Sequence, residues 1–320
     1  MSMHKHLFAG IVAMVATAAA TTQAATVSMT AGDGFGTSSF NSAGQWNNAA
    51  APSAGNDYFN ATFLLRTPSA GNASFTFGGD SLTITGSGLA AGVNNEALMF
   101  KGSGVGAVIT VDNLTIDGGQ LRHGQGDADS FSLAGNLAIG ANGANFATQG
   151  EMIVSSAISG SSTIRVLDSG NAGTARHITL TSGANTFTGN IELFGQANDR
   201  ARLILADDAN LNFVIGANGV NNSVFGTGTA TFDGDFLLDL SGASSNFGDS
   251  WTLASAGSQS FGSTFTVPGF AFNGGSVWVN GSYQFNQATG VLSVVPEPAT
   301  ALLAACGVAL AIGAVRRPRG

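Results

Sequence analysis

Short stretches in which apolar and polar residues alternate recur along most of this sequence, separated by clusters of Gly, Asn, Ser and Asp. Alternation with a period of two is typical of half-buried β-strands, and the clusters between them are typical of turns. Between the two ends of the chain, no stretch shows the 3.6-residue period of an amphipathic helix. The pattern therefore predicts an all-β fold. The predicted strands cover residues 81–85, 108–117, 131–139, 152–158, 163–167, 177–181, 186–194, 203–206, 211–215 and 236–240.

Glycine restricts how these strands can be connected. The chain has 46 glycines and only 9% charged residues, whereas about a quarter of the residues of an average soluble domain are charged. Glycine adopts left-handed backbone conformations, which tight corners need. The six prolines and the lack of a Gly-x-y period exclude a collagen triple helix, and the 22 phenylalanines argue against disorder. The composition therefore favours a folded, turn-rich β structure.

Two similar segments indicate how the strands stack. Residues 114–119 (LTIDGG) and 137–143 (LAIGANG) are separated by roughly 20 to 25 residues, a length typical of one coil of a β-solenoid. In that fold the inward side chains of each coil stack on the coil beneath. We expect a solenoid of about eight to ten coils. The alternative is a β-sandwich or jelly roll, which also needs short strands but favours paired hairpins.

The first 24 residues have the parts of a secretory signal peptide. Lys5, flanked by histidines, precedes an apolar run over residues 7–20, and small residues follow up to Ala24. This arrangement predicts export and cleavage by signal peptidase after Ala24. A buried N-terminal helix is the alternative, but the run opens the chain and leads directly into Gly-rich sequence.

A second apolar segment lies near the C-terminus. Pro296, Glu297 and Pro298 precede an apolar run over residues 299–315. The basic residues after this run are Arg316, Arg317 and Arg319. About 17 residues is the lower limit for a helix that crosses a bilayer, and arginines beside such a helix stay in the cytoplasm. The sequence therefore predicts a transmembrane helix over 299–315 that leaves the preceding chain outside.

These three parts, in this order, resemble the PEP-CTERM sorting signal of Gram-negative bacteria. The resemblance covers residues 296–320. It implies recognition by an exosortase, a membrane-embedded processing enzyme, with cleavage near the Pro296–Glu297–Pro298 motif and an association with extracellular polysaccharide. Both prolines favour an extended backbone, which would keep Glu297 accessible to such an enzyme. A plain tail anchor is the alternative.

A second resemblance concerns the middle of the chain. Residues 183–189 (GANTFTG) resemble the passenger-associated repeat of autotransporter-like proteins, in which Gly-x-Asn-Thr-aromatic-Thr-Gly precedes a strand. The region around Trp46, 65–68 and 77–82 also resembles the N-terminal part of large exported Gly-rich proteins that carry such repeats. The resemblance implies a right-handed parallel β-helix. The predicted sorting tail occupies the position at which autotransporters have a translocating barrel. The resemblance therefore does not imply self-transport across an outer membrane.

The charge balance argues against one class of partner. Without Lys5 and the three C-terminal arginines, 7 of the 11 basic residues remain. Without Glu297, 18 of the 19 acidic residues remain. Nucleic-acid binding needs a basic stripe that displaces phosphate counterions. The seven remaining basic residues are scattered in the sequence: Arg66, Lys101, Arg122, Arg165, Arg176, Arg200 and Arg202. We therefore expect no nucleic-acid partner.

Residues suited to catalysis or metal binding are few. Cys306, the one cysteine, lies in the C-terminal apolar run, so the exported body has neither a disulfide nor a thiolate. His123 and His177 are the histidines of that body, and neither belongs to a zinc-type cluster. No G-x-S-x-G motif places a nucleophilic serine. We expect no catalytic residue, no metal and no cofactor.

Clustered aspartates offer a different interpretation. Carboxylates of this kind can bind calcium or act as pairs in polysaccharide cleavage. The clusters are Asp127 with Asp129, Asp207 with Asp208, and Asp233 with Asp235 and Asp239. Asp207 and Asp208, near Arg200 and Arg202, are the best candidates for a polysaccharide lyase, but that chemistry needs carboxylates and a basic group in one groove. Aspartates that stabilise turns are the simpler interpretation.

The segment before the tail is rich in phenylalanine. Residues 283–285 and 291–295 flank a Gly-containing turn and predict a hairpin. Such a hairpin could cover the open end of a solenoid, which would otherwise pair with other chains. We expect three large side chains in the core of this cap rather than on its surface as carbohydrate platforms: Trp251, Phe270 and Trp278.

These interpretations divide the chain into four parts. The parts are a signal peptide (1–24), a β-solenoid body (25–245), a C-terminal β cap (246–295) and a sorting tail (296–320). They predict a non-enzymatic structural or adhesion protein of the cell surface or extracellular matrix. The expected partners are signal peptidase, exosortase, exopolysaccharide and, before processing, the membrane. The alternative is a polysaccharide-binding or polysaccharide-cleaving β-helix.

Overall fold

A computed structural model describes residues 23–90, 95–126, 128–168, 176–195 and 200–296. These residues form strands, turns and bends without a helix, so the predicted all-β class is confirmed for them. The signal peptide up to residue 22 lies outside the described residues, as does the tail from Glu297, with the predicted helix over 299–315. Within the described ranges, no helix has the length and apolar character needed to span a bilayer.

The strands of the described residues are numbered in chain order. They are β1 (Ala25–Ser28), β2 (Asn56–Phe59), β3 (Leu65–Arg66), β4 (Phe75–Thr76), β5 (Ser81–Thr85), β6 (Ala97–Phe100), β7 (Ala107–Asp117), β8 (Gln120–His123), β9 (Ser130–Ile139), β10 (Ala144–Thr148), β11 (Glu151–Val154), β12 (Ala157–Ser159), β13 (Ile164–Asp168), β14 (His177–Leu180), β15 (Ile191–Phe194), β16 (Arg202–Leu205), β17 (Asn210–Val214), β18 (Val224–Phe232), β19 (Asp235–Asp239), β20 (Ser250–Thr252), β21 (Ala254–Phe261), β22 (Ala271–Phe272), β23 (Val277–Asn280), β24 (Tyr283–Asn286) and β25 (Val291–Val294).

Eighteen of these strands form one sheet whose pairings are all parallel, and the pairings follow three columns. The A face stacks β1, β2, β5, the second halves of β7 and β9, and β12. The B face stacks β3, β6, β8, β10, β13, β15 and the first parts of β18 and β21. The C face stacks β4, the first halves of β7 and β9, β11, β14, β16 and the second parts of β18 and β21. The chain visits the A, B and C faces in turn, which is the winding of a β-solenoid-like parallel fold.

The core lies inside the coils, where apolar side chains align from one coil to the next. On the A face, Leu82 pairs in register with Leu114, Leu114 with Leu137, and Leu137 with Ile158. All four side chains are at most 2% exposed. Burying a side chain of this size stabilises the fold by roughly 1.5–3 kcal/mol relative to leaving it exposed, so each added coil extends the same apolar column.

The coils vary in length more than the sequence predicts. On the B face, Phe146 pairs with Val166, which lies 20 positions later, whereas Leu193 pairs with Gly226, which lies 33 positions later. The expected range of 20 to 25 residues therefore holds on the B face between β6 and β13, and it is too short for the coil from Leu65 to Leu98 before them and for the later coils. Strands on a longer coil still pair in register, as Leu65 does with Leu98.

The repeat-like segment at 183–189 continues the A face beyond β12. The Oδ1 atom of Asn185 accepts a hydrogen bond from the backbone N–H of Ile158 at 2.9 Å, and its Nδ2 donates to the carbonyl of Asn210 at 3.0 Å. Phe187 points into the core and is 3% exposed. A Cβ on Gly189 would lie 2.0 Å from a carbonyl oxygen of the preceding coil. Each of these positions in the motif therefore serves contact between coils.

An antiparallel sheet lies at the C-terminal end, with its strands in the order β20, β25, β24, β23 and β22. The predicted hairpin is confirmed, because β24 and β25 pair antiparallel. Trp251 is 1% exposed, so its prediction as a core residue is confirmed, whereas Phe270 and Trp278 are partly buried and pack against the core. The parallel stack runs past the boundary expected at residue 245, since β21 pairs with β18. Strands of the stack and of the cap therefore interleave along the sequence.

Candidate functional site

The predicted signal-peptide cleavage position adjoins the first strand. Ala24 precedes β1, and the N–H of Ala25 donates to the carbonyl of Gly55 at 3.0 Å. That bond joins β1 to the next coil. Cleavage after Ala24 would thus remove no residue of the stack, and the nitrogen of Ala25 would still carry a hydrogen to donate.

The predicted sorting motif begins where the cap ends. The N–H of Val295 donates to the carbonyl of Ser282 at 2.8 Å, and Pro296, the next residue, is exposed. Proline has no N–H, so it cannot extend this pairing. The other predicted residues of the tail lie outside the described residues: Glu297, Pro298, Arg316, Arg317 and Arg319.

The best lyase candidates are not brought together in one groove. Arg202 opens β16, whereas Asp207 and Asp208 follow its end and are exposed in the turn after it. A strand rises about 3.3 Å per residue, so β16 alone separates the backbone at Arg202 from that at Leu205 by about 10 Å before the turn begins. The structure therefore separates the charges that a lyase site would have to bring together.

Two other aspartates of the predicted clusters stabilise turns. The carboxylate of Asp129 accepts the backbone N–H groups of Gly104 at 2.5 Å and Gly126 at 3.0 Å. The carboxylate of Asp239 accepts the N–H of Ser241 at 3.0 Å, and this hydrogen bond lowers the pKa of Asp239. Such bonds satisfy backbone donors that a turn leaves unpaired.

The remaining aspartates of these groups form no cluster for a metal. Asp235 accepts the hydroxyl of Thr266 at 2.5 Å, and the carbonyl of Asp233 accepts that of Thr264 at 2.8 Å. Asp127 lies outside the described residues. Within the described part of the chain, no three His, Cys, Asp or Glu side chains are placed to hold a metal ion.

The two histidines lie on different faces of the stack. His123, at the end of β8, is fully buried, with Nε2 lying 2.9 Å from the carbonyl of Asp129. Burial lowers the pKa of His123, so the neutral imidazole is favoured at neutral pH. His177 is partly exposed on the C face, where its Nε2 lies 3.1 Å from Oε1 of Glu151 on the neighbouring coil. Neither histidine adjoins a described cysteine or a second histidine.

A groove of about 290 Å³ opens on the B face near the N-terminal end of the stack. Its charged lining comes from Arg66 on β3 and Lys101 just after β6, and Gln125, just after β8, adds an amide. These residues belong to three successive coils. Phe35, which is 95% exposed, stands at its rim. Basic and aromatic side chains therefore meet in this groove.

Lys101 is held at the floor of this groove. Its Nζ donates to the carbonyl of Gly124 and to Oε1 of Gln125. Burial lowers the pKa of Lys101, and the nearby guanidinium groups of Arg66 and Arg122 lower it further. The three positive side chains therefore repel one another across neighbouring coils.

This cluster is not predicted from the sequence, in which Arg66, Lys101 and Arg122 are scattered. Arg66 and Arg122 nevertheless both pair in register with Met99, on opposite sides of β6. A coil of 20 to 25 residues predicts the second proximity only, because Arg122 follows Lys101 by 21 positions but Lys101 follows Arg66 by 35. Residues one coil apart are neighbours in a solenoid.

Comparison of the chain with protein-family models, with curated proteins and with solved structures found no match.

Proposed function

We propose that this chain is an exported structural or adhesion protein of the cell surface or extracellular matrix, sorted by an exosortase through a PEP-CTERM tail. The observation that carries the proposal is the position of the β structure. Its first and last described strands, β1 and β25, begin at Ala25 and end at Val294. These limits coincide with the ends predicted from the signal peptide and the sorting motif, so both processing steps would leave the β structure whole.

The architecture supports a structural role. Outward positions on the C face include Ser132, Ile153 and Thr179, which align on three successive coils beside the Glu151–His177 pair. A stack of parallel coils with such an exterior gives a long, regular surface suited to display or to lateral contact. In this proposal the coils wind to the right and residues 299–315 form the membrane helix.

The proposal predicts that deleting residues 296–320 releases the protein from membranes. The chain should be expressed with its signal peptide in a Gram-negative host that has an exosortase, and its distribution between membrane and soluble fractions should be measured. The full chain should sediment partly or wholly with membranes, and the deletion variant should be soluble, because the apolar run is its only predicted anchor.

A matched variant separates anchoring from sorting. Replacing Pro296, Glu297 and Pro298 by alanine keeps the apolar run, so this variant should remain with the membranes and keep its unprocessed size on a gel. A deletion variant that still sediments with membranes would contradict the anchor. Processing of the alanine variant at the wild-type rate would contradict exosortase recognition of the motif.

A further inference from the structure

The basic groove on the B face carries positive charge that forms no salt bridge within the described part of the chain. Arg66 and Lys101 form no ion pair with a carboxylate of the described residues. Asp129 is the acidic residue that raises the pKa of Lys101, and its carboxylate already accepts hydrogen bonds from the N–H groups of Gly104 and Gly126. Like charges kept close together raise the energy of the folded protein, and an anion between them would lower it.

An exposed aromatic ring borders this charge. Phe35 is 95% exposed, and the guanidinium carbon of Arg66 lies 5.7 Å from the centre of its ring. A phenylalanine that is almost wholly exposed gains nothing from the core. The face of its ring is apolar and carries the negative part of the ring quadrupole, so the C–H groups of a ligand can pack onto it.

The loop that presents Phe35 is fixed in advance. Asp33 is 5% exposed, and its carboxylate accepts the backbone N–H of Ser39 at 2.9 Å, the hydroxyl of Ser39 at 2.5 Å and the backbone N–H of Arg66 at 2.8 Å. The carbonyl of Gly34 accepts a further bond from Nη1 of Arg66 at 2.8 Å. The backbone beside Phe35 and the guanidinium of Arg66 are therefore positioned before a ligand arrives, which lowers the entropy that binding would cost.

The rest of the lining is neutral and polar. Gln125 uses its amide oxygen for Lys101, and no described residue accepts from its amide nitrogen, which remains a donor. Hydroxyl groups of Thr37 and Ser69 also border the groove. Groups of this kind suit the hydroxyls of a sugar, whereas a simple inorganic anion would not need them.

We propose that this groove binds an acidic sugar, with its carboxylate between Arg66 and Lys101 and the C–H face of its ring on Phe35. Arginine matches a carboxylate with two parallel hydrogen bonds, and lysine adds a point charge. A volume of about 290 Å³ lies at the lower end of the range for ligand sites, which suits one or two sugar rings of a chain that continues outside. The site does not depend on the proposed sorting, because all of these residues lie in the described β structure and its loops.

Nucleic acid fits the groove less well. DNA carries one charge about every 1.7 Å and binds through many phosphate contacts. The exported part has 18 acidic residues against 7 basic ones, by the count given above, so a long, dense polyanion is repelled outside the groove. A sugar chain with one carboxylate per ring presents fewer charges and adds ring faces for Phe35.

The test is calorimetric titration of the full chain, solubilised in a neutral detergent, with tri-galacturonate and with its trimethyl ester. The ester has the same rings without the charge. We expect the acid to bind at least about tenfold more tightly than the ester, and Arg66→Gln to remove about tenfold of that affinity, as a lost charge-assisted hydrogen bond implies. Phe35→Ala should weaken binding about fivefold.

Two controls match these variants in chemistry but lie outside the groove. Arg202→Gln removes an exposed charge on β16, and Phe247→Ala removes a ring that is 74% exposed. Both should bind within about twofold of wild type. The proposal is overturned if the wild-type chain does not bind the acid, if acid and ester bind equally, if the controls lose as much affinity as the groove variants, or if equimolar inorganic phosphate displaces the sugar. Circular dichroism of each variant checks that it is folded.

Discussion

Gly135→Ala should lower the free energy of unfolding by about 3–5 kcal/mol, the sum of backbone strain and overpacking. Gly135 interrupts β9 with φ of 104°, a region that residues with a Cβ rarely adopt. An added Cβ would lie 2.0 Å from the carbonyl oxygen of Val111 on the preceding coil. The substitution therefore acts on contact between coils, and the midpoint of denaturant unfolding measures its effect.

Gly219→Ala is the matched control, because it has the strain without the contact. Gly219 has φ of 74°, and no heavy atom lies within 4 Å of an added Cβ. This variant should lose about 1–2 kcal/mol, the cost of a left-handed conformation alone. Equal losses in the two variants would mean that the coils do not approach each other closely at Gly135.

Phe236→Ala should remove about 3–5 kcal/mol, the usual cost of truncating a buried phenylalanine. Phe236 on β19 is fully buried, and its ring lies near five others at centroid distances of 4.7 to 5.9 Å. Those rings belong to Phe213, Phe232, Phe261, Phe265 and Phe285. The cluster joins the last coils to the antiparallel cap, so its loss should loosen the cap first.

Tryptophan fluorescence can follow the cap separately. In a Trp46→Phe background, Trp251 and Trp278 are the remaining tryptophans, and both pack against the core at the cap. The free energy of unfolding followed by their fluorescence should fall in Phe236→Ala. It should stay within about 0.5 kcal/mol of the background value in Phe247→Ala, which removes an exposed ring. A shift of equal size in both variants would show that the aromatic cluster does not hold the cap.

The sequence predicts the strands better than the corners between them. Residues 152–158 are predicted as one strand, but the chain turns from β11 to β12 at Ser155 and Ser156, whose N–H groups both donate to the carbonyl of Leu133. Its signal is only the short pair Ser155-Ser156 without a glycine, and serine favours turns less strongly than glycine does. The strand predicted over 186–194 is too long, because only Ile191–Phe194 form β15 and Gly189 lies in the segment before it.

The candidate groove depends on information that strand patterns lack. Arg66 and Lys101 become neighbours because the intervening chain forms one complete coil, and coil length varies between 20 and 33 positions along the B face. Only register fixes which residues of successive coils align. The exposed ring of Phe35 gives no sequence signal either, since a single phenylalanine in a Gly-rich loop also fits a core position.

A disulfide across one coil interface tests the stacking most directly. In a Cys306→Ser background, Ser132→Cys and Ile153→Cys place thiols on residues paired in register on adjacent coils, about 4.8 Å apart along the stack. We expect this pair to oxidise readily. The pair Ser132→Cys and Thr179→Cys spans two interfaces, about 10 Å, beyond the reach of a disulfide at about 7 Å between Cα atoms, and should stay reduced. The coiled stack would be contradicted if the two pairs oxidised equally, or if Ser132→Cys and Ile153→Cys formed no disulfide.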